Sequence, residues 1–353
     1  MQRGSAHTGA LPRGCVLCEK GAKLVLLVTG RCRRRCSYCP LSVQKRGKDV
    51  YFANERRVAS VDEVLDEAGL MDALGTGITG GDPFIVMDRT VEAITGLKLK
   101  FGQRHHVHLY TSTTDPVGIR RLAKAGLDEI RFHPPVGMWK RLRGSVFDEA
   151  VTQSQDLGMD VGFEVPALPW REVDLAALIA HADSMELGFV NLNELEFSET
   201  NWRSLRALGC DTRDDISSGV AGSQGLALRM LRSDVSVPLH YCSSGFKDGI
   251  QLRRRITRRA RNVRKPHELL TDDGTLVKGV VETGDPAGAA LEIAKRFGVP
   301  RRLLWVDDIK KRLEVAPWVL EEIASELELP CFLVEEYPTA DRLEVEREPL
   351  RRR

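Results

Sequence analysis

From residue 23 to about 199 the chain alternates strand-like with helix-like runs, and this alternation constrains its fold more than any other feature. The apolar run KLVLLVTG (23–30) is followed by SVDEVLDEAGLMDALG (60–75), where Ser60 is placed to cap a helix with apolar residues at helical spacing. TGITGGDP (76–83), HVHLYTST (106–113), LDEIRFHPP (127–135), DVGFEVPALP (160–169) and LGFVNLNELEFS (187–198) read as further strands. Between the later ones lie DPVGIRRLAKAGL, VFDEAVTQSQDLGM and EVDLAALIAHADSM, each suited to a helix of about three turns. A strand followed each time by a covering helix predicts a parallel sheet with right-handed crossovers. Six such units make a partial (βα)6 barrel resembling a TIM barrel, and an open doubly wound sheet fits the same periodicity. In a barrel the carboxyl ends of the strands form the reactive face, which would gather Thr111, Ser112, Thr113, His133, Glu164, Asn191, Asn193 and Glu194 at one mouth. Each of these also suits a helix cap or a loop.

The remaining chain divides by pattern. Residues 1–22 form an N-terminal extension containing Cys-x-x-Cys, and 23–199 the barrel; 200–270 is an irregular, cysteine-containing segment ending in a basic helix. Residues 271–353 read as a βαββαβ unit, a small α+β domain of ferredoxin-like type.

Eight cysteines are present, five of them within the first 39 residues. No run of about 18 apolar residues offers a membrane span and the N-terminus has no continuous hydrophobic segment, so the expected compartment is the cytoplasm. There, clustered cysteines read as metal ligation rather than disulfides. The sharpest group is Cys32, Cys36 and Cys39 in LVTGRCRRRCSYCPLS, directly after the first strand. Three thiolates are one short of the four that normally hold an iron–sulfur cluster, which leaves one iron free for a substrate or cofactor. A zinc site could use the same thiolates with a fourth ligand. Arginines 31, 33, 34 and 35 suit an anionic cluster and equally a solvated basic turn.

CRRRCSYC, with Tyr38 before its third cysteine, resembles the cysteine loop of the radical S-adenosylmethionine (radical SAM) superfamily. TGGDP resembles that superfamily's glycine-rich strand end, with Asp82 where Glu is usual, and the two motifs stand on successive strands in the expected order. The surrounding sequence looks most like the archaeal-type group related to pyruvate formate-lyase activating enzymes. The resemblance covers about 23–199. It implies a 4Fe-4S cluster on Cys32, Cys36 and Cys39 whose open iron chelates S-adenosylmethionine, and reductive cleavage to a 5′-deoxyadenosyl radical that abstracts hydrogen from a small molecule or RNA. It further implies a one-electron donor such as ferredoxin or flavodoxin. Gly80, Gly81 and Asp82 would form the edge receiving the methionine amino group, Tyr38 would lie near adenine, and Thr111, Ser112 and Thr113 would meet ribose or carboxylate. Glu164, Asn191, Asn193 and Glu194 are further cofactor-facing candidates. An activase that creates a glycyl radical on a partner protein shares the first half-reaction, and a non-catalytic iron–sulfur or zinc protein that binds nucleic acid is a third reading.

A second metal site, a 4Fe-4S cluster or zinc, is expected from Cys15 and Cys18 with Cys242 and Cys210, His240 being an alternative ligand. Buried free thiols would serve the same sequence, and Cys331 reads as a core residue. In QLRRRITRRARNVRK (251–265), eight of fifteen residues are basic and Leu252, Ile256, Ala260 and Val263 recur at helical spacing. Such a helix suits phosphate, tRNA included, unless acidic neighbours neutralise it.

Overall fold

A computed structural model describes residues 4–213 and 217–350. The chain forms two units, Met1–Gly69 with Ala73–Leu252 and Leu70–Asp72 with Arg253–Arg353.

In the larger unit the described residues form seven parallel strands, the first six from the alternating runs: β1 (Lys23–Leu27), β2 (Gly75–Thr79), β3 (His106–Thr111), β4 (Glu129–Phe132), β5 (Asp160–Ala167), β6 (Phe189–Glu194) and β7 (Leu239–Cys242). They pair in sequence order, and the sheet path continues to antiparallel Ala6–His7 beyond β7 and to Phe52–Ala53 and Arg56–Arg57 beyond β1. The large sheet is therefore mixed. Helices α1 (Arg13–Glu19), α2 (Val61–Leu70), α3 (Met87–Phe101), α4 (Pro116–Ala125), α5 (Val146–Asp156) and α6 (Glu172–Ser184) accompany the first six strands. Their ends are set locally: Asp115 accepts from the Val117 and Gly118 amides with Pro116 in the first turn, and Gly126 closes α4 at φ +99°.

Three expectations are corrected. The described residues of 200–270 are not irregular: they hold α7 (Trp202–Ala207), α8 (Ser223–Met230) and β7, so the parallel series has a seventh strand and the larger unit extends to Leu252, not 199. Of the N-terminal extension, Ala6–His7 pair antiparallel with β7 and Arg13–Glu19 form α1. The basic stretch forms a helix only over Arg253–Val263, α9, preceded by a π-helical turn at Lys247–Leu252.

Strand alternation sorts the residues into two faces. Val107, Leu109, Ile130, Phe132, Val161, Phe163, Val165, Val190 and Leu192 make an apolar face. The other face carries His106, His108, Tyr110, Glu129, Arg131, Glu164, Asn191 and Asn193. Helix α1 lies on that polar face, where the Gly14 amide donates to Glu129 (3.2 Å) and Cys15 Sγ accepts from Arg131 on β4 and Asn191 on β6. A Cβ on Gly14 would stand 2.2 Å from His108 Nδ1 and 2.6 Å from Arg131 Nη2, so only glycine lets α1 sit this deep.

The smaller unit holds β8 (Leu276–Val281), α10 (Pro286–Phe297), β9 (Leu304–Asp307), β10 (Arg312–Val315), α11 (Pro317–Ile323), β11 (Cys331–Glu336) and β12 (Glu344–Pro349). Its antiparallel sheet runs β9-β10-β8-β11-β12. Val281, Ile293, Leu313, Val315, Leu320 and Cys331 form its core.

Candidate functional site

The three-cysteine loop leaves β1 against the glycine-rich end of β2. The Gly81 amide donates to Thr29 O (2.7 Å) and the Asp82 amide to Arg31 O (2.8 Å). A Cβ on Gly80, at φ +149°, would lie 2.3 Å from Thr29 O, and one on Gly81 would lie 1.9 Å from Arg31 O. The close approach that requires these glycines is therefore that of the cysteine loop's own backbone.

Several contacts fix the loop's far end. Thr200 Oγ1 donates to Cys39 O (3.1 Å) and Leu41 O (2.7 Å), and Asn201 Nδ2 donates to Tyr38 O (3.2 Å). Cys32 is exposed, and Cys36 and Cys39 are half-buried. Burial raises the Cys32 thiol, opposed by the Arg34 amide, which donates to its sulfur at 3.3 Å. Burial likewise raises Cys36, opposed by a hydrogen bond from Tyr38. Three thiols on one short exposed loop, one of them already receiving an amide N–H, are a donor set that fits a cluster with an open iron.

Asp82 has a different place from the one expected. It is 2% exposed, and its Oδ1 accepts from Phe84 N (3.1 Å) and Thr111 Oγ1 (2.8 Å), while Oδ2 accepts from Ser112 N (3.2 Å) and Thr113 Oγ1 (2.9 Å). The carboxylate thus ties the end of β2 to the end of β3. Arg34 completes the link by donating to Ser112 Oγ (3.1 Å) and Ser112 O (3.2 Å). Asp82, Thr111, Ser112 and Thr113, four separate sequence candidates, form one network beside the cysteine loop.

A second network lies on the polar face of the sheet. Tyr38 Oη is 2.9 Å from His133 Nε2, and His133 Nδ1 donates to Glu164 O at 2.7 Å. Glu164 accepts from Arg131 Nη1 (2.7 Å), Asn191 Nδ2 (2.9 Å) and Asn193 Nδ2 (2.8 Å). Burial pushes its carboxyl up, but Arg131 and then the two amides outweigh this and hold it below the usual range. Deeper, Arg131 pairs with Glu129, and Lys23 contacts His108. Burial lowers Lys23 to about 8, with Arg131 adding to the shift and Glu129 opposing it. Sequence reading missed Arg131, Glu129 and Lys23, because the contacts that place them also involve other elements: Glu164 of β5 for Arg131, Gly14 of α1 for Glu129 and His108 of β3 for Lys23.

Glu194 does not join this group: its carboxylate accepts from Arg213 (2.7 Å) and from the Ser244 amide and hydroxyl (2.7 and 2.8 Å). Cys210 also stands apart, buried after α7 with Asp211 as its charged neighbour. Cys15, Cys18 and Cys242, by contrast, lie within one another's electrostatic reach.

The radical SAM superfamily model matches residues 26–134, and a domain of unknown function, DUF8061, matches 274–350. A Methanocaldococcus jannaschii protein, provisionally named a glycyl-radical enzyme activating enzyme, is 38% identical over 360 residues, covering 96% of this chain and 93% of its own. Two solved structures show a weaker likeness and are spanned over about half their length. The FeFe-hydrogenase maturase HydG from Carboxydothermus hydrogenoformans has 16% identity and TM-score 0.38, over 55% of this chain and 52% of its own. A histidine-tagged anSMEcpe with bound AdoMet has 14% identity and TM-score 0.36, over 51% and 52%. With a cysteine loop in place and a relative matched along nearly its whole length, the chain belongs to the radical SAM superfamily, as an enzyme related to the glycyl-radical and pyruvate formate-lyase activating enzymes.

Proposed function

We propose that this enzyme is an activase that generates a glycyl radical on a partner protein. The observation that carries this is the 38% identity, over 96% of the chain, to the provisionally named activating enzyme. It supports this reading over the broader one of a small-molecule or RNA substrate. Cys32, Cys36 and Cys39 would hold the 4Fe-4S cluster, leaving one iron for S-adenosylmethionine. When bound, that pair supplies one-electron cleavage of the sulfonium and a radical able to take a hydrogen atom.

The chain's own residues position and shield. The Gly80–Gly81 edge holds the loop's entry backbone, and the Asp82 network keeps the Thr111–Thr113 turn fixed beside it. Ser112 and Thr113 beside the loop and Tyr38 on it are then polar groups offered to the cofactor, and Glu164, Asn191 and Asn193 offer a paired polar floor. The exposure of residues 31–35 suits approach by a macromolecule. Arg31, Arg33 and Arg35, all exposed, suit an acidic one-electron donor such as ferredoxin or flavodoxin. We read the seven parallel strands as a partial barrel and the smaller unit, from its strand order, as ferredoxin-like. The basic helix lends RNA less support: Arg253 faces Asp273 (3.6 Å), Arg258 pairs with Asp72, and Ile256 and Ala260 are buried. Among the described residues no helix is long and apolar enough to cross a membrane.

The test is anaerobic incubation of the reconstituted enzyme with S-adenosylmethionine, dithionite and polypeptides deuterated at glycine Cα. Deuterium in 5′-deoxyadenosine together with a glycyl electron paramagnetic resonance doublet is expected. Deuterium arriving instead from labelled RNA or metabolite pools overturns the activase reading.

A further inference from the structure

Cys15 and Cys18 are three residues apart on α1 and so share a helix face. On β7, His240 and Cys242 are two apart and pair with Asn191 and Asn193 of β6. Side chains at paired positions of a parallel sheet point to the same side. Since both asparagine amides reach Glu164 on the polar face, His240 and Cys242 enter that same interior.

The sulfurs there are acceptors of N–H groups. Cys15 Sγ receives Arg131 Nη2 (3.5 Å) and Asn191 Nδ2 (3.4 Å), and Cys242 Sγ receives Gln251 Nε2 (3.9 Å). Lys247, itself paired with Glu196, is the leading charged neighbour of Cys242, whose thiol burial pushes up. Amide and guanidinium donors aimed at sulfur match the contacts that a cluster's thiolates receive. His240 provides the independent sign of a ligand. It is 3% exposed, its Nδ1 is 3.1 Å from Asn191 Oδ1, and its Nε2 has no hydrogen-bond partner among the described residues. A buried ring nitrogen left bare while the other is held is how a metal-ligating histidine is presented.

Cys15 and Cys18 are only half-buried, and the Glu164 and Lys247 side chains keep 13% and 31% of their exposure. The donors select the group: three thiols, two of whose sulfurs receive N–H groups, suit an iron–sulfur cluster, and metal and sulfide content separates it from a single zinc ion.

We propose that Cys15, Cys18 and Cys242, with His240 as the nitrogen ligand, hold a second 4Fe-4S cluster on the polar face of the sheet, separate from the Cys32–Cys36–Cys39 loop. The expected ligand set loses Cys210. This site does not depend on the activase reading.

The test is iron, sulfide and zinc content of anaerobically purified full-length protein, with circular dichroism to verify folding. The Cys32→Ala, Cys36→Ala, Cys39→Ala triple variant is expected to keep half the wild-type iron and sulfide. Adding Cys242→Ser should remove that half, whereas adding Cys210→Ser should not. His240→Ala in the triple background should change the electron paramagnetic resonance signal of the reduced protein. A folded triple variant without iron, iron that survives Cys242→Ser, or zinc in place of iron and sulfide overturns the proposal.

Discussion

Replacing Gly81 with alanine tests whether the glycine-rich strand end exists to receive the cysteine loop. The added Cβ would stand 1.9 Å from Arg31 O, 2.3 Å from Arg31 C and 2.9 Å from Cys32 N. Cβ contacts are essentially never below 3.0 Å, so the Arg31 carbonyl must retreat by about 1.1 Å, carrying with it the peptide that leads into Cys32. The obstacle is backbone and cannot swing aside as a flexible side chain would. Overpacking of this kind costs about 1–3 kcal/mol, and weakening the Asp82 N–H to Arg31 O bond adds about 1 kcal/mol. A displacement of about 1 Å at a reacting centre can lower turnover about 100-fold. Gly69, in α2 with nothing within 4 Å of its Cβ direction, is the control: alanine there should stabilise by roughly 0.5–1 kcal/mol. The assay is 5′-deoxyadenosine formed per chain under dithionite, paired with urea unfolding. Gly81→Ala is expected to lose about 3 kcal/mol and most of its turnover, Gly69→Ala neither. Wild-type turnover and stability in Gly81→Ala would refute the reasoning.

Other outcomes follow from the two networks and from the smaller unit. Asp82→Ala strands four donors around a buried carboxylate position, so a loss of about 2–4 kcal/mol in urea unfolding is expected. Glu129→Ala removes the buried partner of Arg131 and the acceptor of the Gly14 amide; its melting free energy should drop by about 3–5 kcal/mol, and an unchanged melt would contradict the pairing. In the smaller unit, burial raises Glu336, but Lys278, followed by Lys310 and Arg312, lowers it from 4.5 to about 2. A carboxyl depressed on folding gives stability that is full above about 4.5 and lost as pH falls toward 2. Acid unfolding followed by circular dichroism should therefore steepen between those values, and Glu336→Gln should reduce that dependence while destabilising the protein at neutral pH.

What the sequence disclosed and what it hid divide along a physical line. The first six strands were legible because each is a local apolar or alternating run bounded by turn residues, and the cysteine loop was legible because ligand spacing is itself local. Strand β7 was not: LHYC is four residues long, and its identity comes from pairing with Val190–Asn193 across a long connection. Helix α1 was read as an extension because nothing in GCVLCEK announces that Gly14 must fit beneath His108 and Arg131. Asp82 stands where the superfamily usually has Glu, which suggested a shortened reach toward a ligand. Its two oxygens instead accept four donors, and three of those come from consecutive residues at the end of β3. The shorter side chain thus brings β2 and β3 together at the point where the cysteine loop crosses them. Arg34, a member of the basic run that looked like a charged turn, reaches the same segment through Ser112. The loop is consequently anchored through its entry backbone by two glycines and through a side chain by Arg34, while Cys32 stays exposed. Rigidity at the base with openness at the ligands is the combination that the proposed cluster, meeting a large partner, would require.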